Sequence, residues 1–121
     1  MKLSSISKEQ RNISILKKII QYCSEIEQTK ERFNLSLEVL QNDFVCKNSI
    51  AMCLLQIGEL TTRLTDDFKI QYNSIEWKSI KQMRNITAHD YGNFDLKIVW
   101  ETIIEDIPKL RAQCQEIIQN L

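Results

Sequence analysis

The sequence predicts an all-α protein, a four-helix bundle of the up-and-down type with a short extra helix or irregular segment after the first helix. Two glycines and one proline in 121 residues leave little of the turn chemistry that strands and hairpins need. Apolar residues recur at steps of three and four along several long stretches, which is the period of an amphipathic helix. A chain of this length buries one core. We therefore expect a single domain over residues 1–121.

Composition and charge limit the possible partners. The 16 basic and 16 acidic residues cancel, which argues against a general polyelectrolyte binder and leads us to expect no DNA binding. A local basic patch could still hold a few phosphates. The first residues lead into polar sequence and not into the apolar core of a signal peptide. No window approaches the roughly 20 apolar residues of a membrane span, so we expect a cytoplasmic protein that does not enter a membrane.

The four cysteines form no pattern that is typical of a metal site. Cys23, Cys46, Cys53 and Cys114 contain no C-x-x-C pair, and each lies in an apolar helical pattern. A zinc site would have to recruit His89 alongside these scattered thiols. We expect reduced, buried cysteines, no metal and no cofactor.

The first half of the chain reads as scaffold. Residues from about 7 to 30 form the first predicted helix, and residues 31 to 42 a short helix or an irregular connection. The apolar face of the first helix consists of Ile15, Leu16, Ile19, Ile20, Tyr22, Cys23 and Ile26.

A second long helix is predicted from about 43 to 65. It is apolar nearly all round from Ile50 to Ile57, so it lies at the centre of the bundle or also meets a second subunit. Gly58 within a helix costs about 1 kcal/mol against alanine, and close approach of another backbone would explain it, as would simple tolerance. Glu59 is either a buried acid that contacts the site or a solvated surface charge.

Residues 66 to 73 read as a loop, and a third helix follows from about 74 to 90. Asn73 or Ser74 is the expected N-cap of this helix. Its expected inward row is Ile80, Met83 and Thr87, with Trp77 as a further anchor. Its expected outer row is Lys78, Lys81 and Arg84, which form either a basic strip or an ordinary solvated face.

The last helix is predicted from about 95 to 121. Gly92 fits the end of the preceding helix, and Asp95 fits the N-cap of this one. Pro108 removes one backbone donor, so we expect a bend near Ile104 to Pro108. The expected inward stripe is Leu96, Trp100, Ile103, Ile107, Leu110, Cys114, Ile117 and Leu121, with Trp100 as a core anchor.

The stretch from Arg84 to Tyr91 carries the most distinctive chemistry. It contains the only histidine of the sequence, His89, five residues after an arginine and two before a tyrosine. An arginine fork can hold a phosphate, and a histidine that titrates near neutrality can deprotonate a ribose 2′-hydroxyl or protonate a leaving oxygen. This combination suits RNA cleavage by transesterification without a metal.

Helix geometry constrains how these groups cooperate. On an ideal helix Arg84 and Tyr91 share a face to within about 20°, whereas Arg84 and His89 are about 140° apart. Arg84 and His89 can flank one cleft if the helix loosens near Gly92 or if two copies meet across a dimer. With one histidine per chain, chemistry that needs two proton-transfer groups requires either a second subunit's histidine or assistance from Arg84 and water. This favours a symmetric dimer with a composite site. Alternatively, His89 and Tyr91 merely cap and pack a helix end.

The pattern R-x4-H-x-Y, with Asn85 after the arginine, resembles the signature of the HEPN superfamily, and the chain is similar to the HepT-like toxins. The agreement extends from about residue 10 to 120. It includes Ile57-Gly58-Glu59, Trp77, Val99-Trp100, and Pro108 with Leu110.

The resemblance implies a helical bundle that dimerises and cleaves RNA without a metal, as the toxin of a type VII-like pair. Arg84 and His89 would be the catalytic pair, with Asn85 and Glu59 in support. The partner would be a MntA-type minimal nucleotidyltransferase antitoxin, which transfers AMP from ATP to the motif tyrosine, here Tyr91. Independently of the resemblance, the basic strip would place Lys78 and Lys81 to contact RNA phosphates.

Two other hypotheses stay open. The chain could be a non-catalytic helical module that docks a nucleotidyltransferase and helps present its substrate, which would give tight partner binding without RNA turnover. It could also be a purely structural helical dimer, which would be indifferent to changes at Arg84, His89 and Tyr91.

Overall fold

The computed structural model describes residues 7–85 and 95–121, and within these ranges the chain is helical without a strand. The prediction of an all-α fold is therefore confirmed. The helices are α1 (Lys8–Phe33), α2 (Leu37–Asn42), α3 (Phe44–Thr62), α4 (Asp66–Gln71), α5 (Trp77–Lys81), α6 (Leu96–Glu101) and α7 (Ile107–Gln119). A 3-10 turn (Gln82–Arg84) follows α5, and a π-helical segment (Thr102–Asp106) joins α6 to α7.

Helix α1 begins with a reciprocal cap. The Ser7 hydroxyl accepts a hydrogen bond from the Gln10 backbone N–H at 3.1 Å, and the Gln10 side chain accepts one from the Ser7 N–H at 3.2 Å. The helix ends at Asn34, which adopts the left-handed conformation at φ 48°. Its predicted inward face is confirmed: Ile15, Leu16, Ile19, Cys23 and Ile26 are buried, and Ile20 and Tyr22 pack against the core.

Helix α3 lies at the centre of the fold. It contacts α1 on one side, α5 and the 3-10 turn on another, and also α2. Nine of its side chains or glycine positions are buried, from Cys46 to Thr61, and they lie on more than one face. The expectation that a helix apolar nearly all round is covered on several faces is confirmed within the monomer. The short helix expected between residues 31 and 42 is present as α2.

The prediction of a loop at residues 66–73 is wrong, because α4 occupies most of it. The Thr65 hydroxyl caps this helix by accepting from the Phe68 N–H at 3.3 Å. Asp66 and Asp67 lie in the first turn, where their negative charges interact favourably with the helix dipole. Phe68 is buried in the core, and it supplies the apolar contact that a six-residue helix needs to persist.

The third predicted helix begins later than expected and with a different cap. Its first residue is Trp77, and neither Asn73 nor Ser74 is the N-cap, since Glu76 occupies that position without a side-chain hydrogen bond. The inward residues Trp77, Ile80 and Met83 are buried as predicted. Thr87 and Gly92 lie outside the described residues.

The last helical stretch begins where the sequence predicts but is not uniform. The Asp95 carboxylate caps α6 by accepting from the Ile98 N–H at 3.2 Å. The π-helical segment that follows is marked by a hydrogen bond from the Ile107 N–H to the Thr102 carbonyl. Pro108, which has no N–H, stands just after it. A π-helical segment thus covers part of the stretch from Ile104 to Pro108, where the sequence predicts a bend.

Most of the predicted inward stripe of this stretch is correct. Ile103, Ile107, Leu110, Cys114 and Ile117 are buried, and Leu96 and Trp100 are partly buried against the core. Leu121 is 59% exposed, because it lies beyond the end of α7 at Gln119. Its assignment to the inward stripe was wrong.

Candidate active site

The arginine of the R-x4-H-x-Y pattern lies where the 3-10 turn crosses α3. A Cβ atom placed on Gly58 would lie 2.6 Å from the Arg84 backbone nitrogen, 2.9 Å from the Arg84 Cβ and 3.0 Å from the Lys81 carbonyl oxygen. Protein atoms do not approach this closely, so only glycine permits the crossing. Close backbone approach, and not simple tolerance, therefore explains Gly58.

The residue after this glycine pairs with the same arginine. Glu59 Oε1 lies 3.7 Å from Arg84 Nη1, and the two side chains are 45% and 37% exposed. Glu59 is therefore a half-exposed acid that contacts the candidate site, an arrangement between the buried acid and the solvated charge that the sequence left open. The carboxylate restrains a guanidinium that still reaches solvent.

Aromatic packing supports the 3-10 turn from the side of the core. Trp77, at the start of α5, is buried, and its indole N–H donates to the Tyr72 carbonyl at 3.1 Å. Its ring lies 6.1 Å from the ring of Phe68, which in turn lies 4.7 Å from Tyr72. This packing fixes α5 against the core and so fixes the direction in which the turn presents Arg84.

The two lysines of the predicted basic strip lie on the solvent side of α5. Lys78 and Lys81 are exposed, whereas Arg84 is half-buried. Both lysines belong to the last turn of the helix, where a positive charge is favourable beside the helix carbonyls. The structure thus brings Lys78, Lys81 and Arg84 onto one segment, and Arg84 forms an ion pair with Glu59 of α3.

Asn85, the residue after Arg84, lies on the wall of an open cavity of about 580 Å³. The cavity is bounded on one side by α5 and the 3-10 turn and on the other by the stretch from Asp95 to Gln113. Asn85 is exposed to it. Arg84 therefore lies at the crossing with α3, whereas Asn85, the next residue, lies on the wall of this cavity.

The remaining residues of the motif, His89 and Tyr91, lie outside the described residues. The roles that the sequence assigns to them stay predictions. Arg84, Asn85 and Glu59 are described, and the structure brings Arg84 and Glu59 together.

Sequence reasoning missed the far wall of the cavity. Thr102 and Asp106 line it from the π-helical segment, opposite Ser79 and Gln82 of the α5 side. The signal that could have revealed this wall is a second row of mixed polarity along the last helix, beside the apolar stripe. It runs through Asp95, Ile98, Thr102, Asp106, Lys109 and Gln113 at steps of three and four.

The described part of the chain offers no cluster of three or more His, Cys, Asp or Glu side chains placed to hold a metal ion. Across residues 7–85 and 95–121, no helix has the length and apolar character needed to cross a membrane. The four cysteines are free and buried, as the sequence predicts.

Comparison with known proteins assigns this arrangement to a family. Residues 19–117 match the family model described as Ribonuclease HepT-like. A protein of Caldanaerobacter subterraneus subsp. tengcongensis named "Putative RNase" is 34% identical over 106 residues, which cover 87% of this chain and 92% of that protein.

Two archaeal proteins are also similar. One of Thermococcus cleftensis named "Probable ribonuclease HepT" is 29% identical over 84 residues, or 66% of this chain and 76% of that protein. One of Methanocaldococcus jannaschii named "Putative RNase" is 30% identical over 88 residues, or 73% of each chain. No solved structure gave a significant match. The family match covers the helical core, the Gly58 crossing and the whole R-x4-H-x-Y stretch, and the chain belongs to the Ribonuclease HepT-like family.

Proposed function

We propose that the chain is a metal-independent endoribonuclease, the toxin of a HepT/MntA-type toxin–antitoxin pair, and that it acts in the cytoplasm. The observation that carries the proposal is the family match over residues 19–117, which includes Arg84, His89 and Tyr91. The ion-paired, solvent-reaching guanidinium of Arg84 supports it, because such a group is suited to bind a phosphate.

Arg84 binds the scissile phosphate in this proposal. Its planar fork can donate two hydrogen bonds to the non-bridging oxygens and stabilise the charge that grows on them during the reaction. Glu59 keeps the guanidinium in a defined orientation from a distance of 3.7 Å. Glu59 is thus a positioning residue, and Arg84 is a catalytic one.

His89 performs the proton transfers. The neutral imidazole removes the proton of the ribose 2′-hydroxyl, the 2′-oxygen attacks the adjacent phosphorus, and the bond from phosphorus to the 5′-oxygen breaks. A protonated imidazole delivers the proton that the departing 5′-oxygen needs. The products are a 2′,3′-cyclic phosphate and a free 5′-hydroxyl, and the reaction requires neither water activation nor a metal.

A second protomer completes the site. One chain supplies one histidine, so separate base and acid groups come from two protomers across a symmetric interface. The exposed apolar side chains of α3 support an association of this kind, since Phe44 is 73% exposed and Met52 is 54% exposed. We propose that the homodimer is the active form.

Substrate binding outside the scissile phosphate falls to neighbouring groups. The exposed ammonium groups of Lys78 and Lys81 contact further RNA phosphates, and Asn85 supports the substrate by hydrogen bonds. With no net charge on the chain, binding is expected to be modest and to weaken with salt.

The experiment that tests this function is cleavage of a defined RNA by the purified protein in excess EDTA. The proposal predicts fragments that end in a 2′,3′-cyclic phosphate and begin with a 5′-hydroxyl. Fragments with a 3′-hydroxyl and a 5′-phosphate, or cleavage that stops in EDTA, would contradict the mechanism. Tight binding of a nucleotidyltransferase without RNA turnover at any protein concentration would favour a docking module instead.

Tyr91 is the proposed point of control. Its phenolic oxygen attacks the α-phosphorus of ATP in the active site of the MntA-type antitoxin, AMP is transferred to the oxygen, and pyrophosphate leaves. The added anionic group would occupy the subsite near Arg84 that the RNA phosphate needs.

The intact mass of the protein after incubation with ATP and the antitoxin tests this control. We expect a mass increase by whole AMP units in the wild type and none in Tyr91→Phe. Full silencing of Tyr91→Phe by the antitoxin would show that occlusion, and not modification, restrains the enzyme.

A further inference from the structure

The cavity beside Asn85 has the size and position of a nucleotide subsite. Its volume of about 580 Å³ falls within the roughly 300–1,000 Å³ of small-molecule sites. Asn85 on its wall directly follows Arg84, and consecutive Cα atoms are about 3.8 Å apart. A nucleotide whose phosphate contacts Arg84 can therefore reach the cavity with its base.

The cavity wall suits a flat ring. Five apolar side chains of the described residues contribute to it, Ile75, Ile80 and Met83 from one side and Ile98 and Leu110 from the other. Ile80, Met83 and Leu110 also belong to the buried core, so this part of the wall is fixed by packing. Stacking on apolar surface is tolerant of base identity, so it supplies affinity and not selection.

The charges at the cavity disfavour a phosphate. Among the lining residues that the structure describes, Glu76, Asp95 and Asp106 contribute three carboxylates, and Lys109 contributes one ammonium group. The negative excess repels an anion and attracts N–H donors. The cavity is thus complementary to a base and not to the backbone of a nucleic acid.

Two of these carboxylates, those of Glu76 and Asp106, line the same cavity although they come from different elements. Burial raises the pKa of the Asp106 carboxyl, Lys109 lowers it, and the charges of Glu101 and Glu76 raise it further. Glu76 is thus among the charges that act on Asp106. The hydroxyl of Thr102, which also lines the cavity, donates to the Ile98 carbonyl at 2.7 Å and ties the π-helical segment to α6.

We propose that this cavity binds one base of the RNA substrate next to the scissile phosphate, and that it selects a base with an exocyclic amino group. The carboxylate oxygens of Asp106 and Glu76 accept hydrogen bonds from that amino group. Adenine, cytosine and guanine carry such a group, whereas uracil presents carbonyl oxygens in its place. The inference rests on the proposed ribonuclease function and adds a determinant of its sequence preference.

The test compares cleavage of four RNA oligonucleotides that differ only in the base at one position beside the cleaved bond. At one of the two flanking positions, we expect kcat/KM for the uracil-containing RNA to be lower than for the best of the others by roughly fivefold or more. In Asp106→Asn the preference should shrink or shift toward uracil, because an amide N–H can donate to the uracil carbonyl. Glu105→Gln is the matched control, since Glu105 lies in the same π-helical segment outside the cavity lining and its change should leave the preference unaltered.

A second pair of variants fills the cavity without altering its charge. Ser79→Trp places a large ring in the wall, and Ser14→Trp places the same ring on the exposed face of α1. Ser79→Trp should raise KM or lower kcat/KM at least fivefold, whereas Ser14→Trp should not. Equal rates for all four bases at both flanking positions, with Asp106→Asn and Ser79→Trp behaving as wild type, would overturn the proposal while leaving the ribonuclease function intact.

Titration of the protein with the four nucleosides tests the base subsite separately from the ribonuclease activity. Chemical-shift changes at residues such as Ser79 and Thr102 with adenosine, cytidine or guanosine, but not with uridine, would support the subsite even if RNA were not cleaved. Cleavage without any nucleoside response at these residues would count against the subsite alone. Burial of the same residues by a second protomer, with no response to any nucleoside, would mean that the cavity is a protein interface.

Discussion

The ion pair between Glu59 and Arg84 is half-exposed to solvent, so it contributes little to the free energy of unfolding. An ion pair at 3.7 Å between side chains that are 45% and 37% exposed contributes about 1 kcal/mol at most. Its effect is geometric, because the carboxylate limits the directions in which the guanidinium can point. A change at Glu59 should therefore appear in kinetics and not in thermal unfolding.

Glu59→Gln is predicted to lower kcat severalfold while KM stays the same or falls. The rate falls because the guanidinium is less well oriented, and KM does not rise because a carboxylate no longer competes with the RNA phosphate for Arg84. Steady-state cleavage of a fluorescent RNA measures both constants. Glu27→Gln is the control, since Glu27 also forms an ion pair, with Lys30 at 3.3 Å on α1. A rise in KM with unchanged kcat would contradict the positioning role.

The four cysteines are protected by the core. Burial is the main cause that raises the pKa of Cys23 and Cys114 to about 12 and that of Cys53 to about 11, and it also raises the pKa of Cys46. A raised pKa keeps the thiol protonated at neutral pH, and only the thiolate is a good nucleophile.

We predict that iodoacetamide at pH 8 modifies none of the four thiols in the folded protein within the time that modifies a free cysteine completely. The same treatment in denaturant should modify all four, which intact mass reveals as four added groups. Rapid modification of any thiol in the folded state would show that the core opens locally at that position.

At the scale of elements, the crossing of α3 by the 3-10 turn sets the position of Arg84. The sequence suggested that another backbone approaches Gly58, and the 2.6 Å separation between a hypothetical Cβ and the Arg84 nitrogen explains the glycine. The atoms in the way belong mainly to backbone, so they cannot move aside as a flexible side chain would.

Gly58→Ala is predicted to destabilise the fold, because the methyl group forces the turn away from α3 at a cost near the upper end of the roughly 1–3 kcal/mol that overpacking brings. This cost exceeds the gain of about 1 kcal/mol that alanine brings to a helix. Ser49→Ala, at an exposed position of the same helix, should be neutral or slightly stabilising. Thermal unfolding measures both changes, and a stability of Gly58→Ala equal to or above that of the wild type would contradict the crossing.

Helices with a clear apolar period could be predicted from the sequence, whereas the short helix α2 was only one of two alternatives and the short helix α4 was missed. The inward rows of α1 and of the last helical stretch follow steps of three and four over many turns, so the positions that face the core are fixed by the pattern. Helix α4 has six residues, and its two aspartates read as a polar loop. The cap at Thr65 and the burial of Phe68 decide its structure, and the second of these depends on tertiary packing.

The start of α5 was misplaced for a related reason. Asn73 and Ser74 are good capping residues, yet the helix begins at Trp77. The indole needs the Tyr72 carbonyl as its acceptor, and this contact fixes the turn before the helix. A tertiary requirement thus outweighs a local preference.

The candidate site was predictable in part. The spacing of Arg84, His89 and Tyr91 singled out the stretch. Glu59 was left open between a buried acid and a solvated charge, and the structure pairs it with Arg84. The cavity was not predictable, because its walls are separated in sequence and meet only when α5 packs beside the last helical stretch. The row of mixed polarity that lines the cavity also lies beside the apolar stripe of the last helical stretch, and the stripe is the stronger of the two patterns in the sequence.

At the scale of the molecule, the buried side chains from α1 to α7 belong to one hydrophobic cluster. We therefore propose that residues 1–121 form one domain. A hydrogen-bonded pair also ties distant segments together, since the Asn12 side chain donates to the Thr65 hydroxyl at 3.0 Å and accepts from the Thr65 N–H at 3.1 Å. Because the core is continuous, packing throughout the fold holds the crossing at Gly58 in place, and not the 3-10 turn alone.

The rate of RNA cleavage by Arg84→Ala and by His89→Ala, compared with the wild type, tests the central claim most directly. Single-turnover rates with one RNA should fall by roughly a hundredfold to ten-thousandfold for His89→Ala and by a comparable factor for Arg84→Ala, with unchanged thermal unfolding. Such losses would establish a ribonuclease built on these two side chains. Rates within a factor of about two of the wild type, in variants that fold normally, would contradict the assigned catalytic pair.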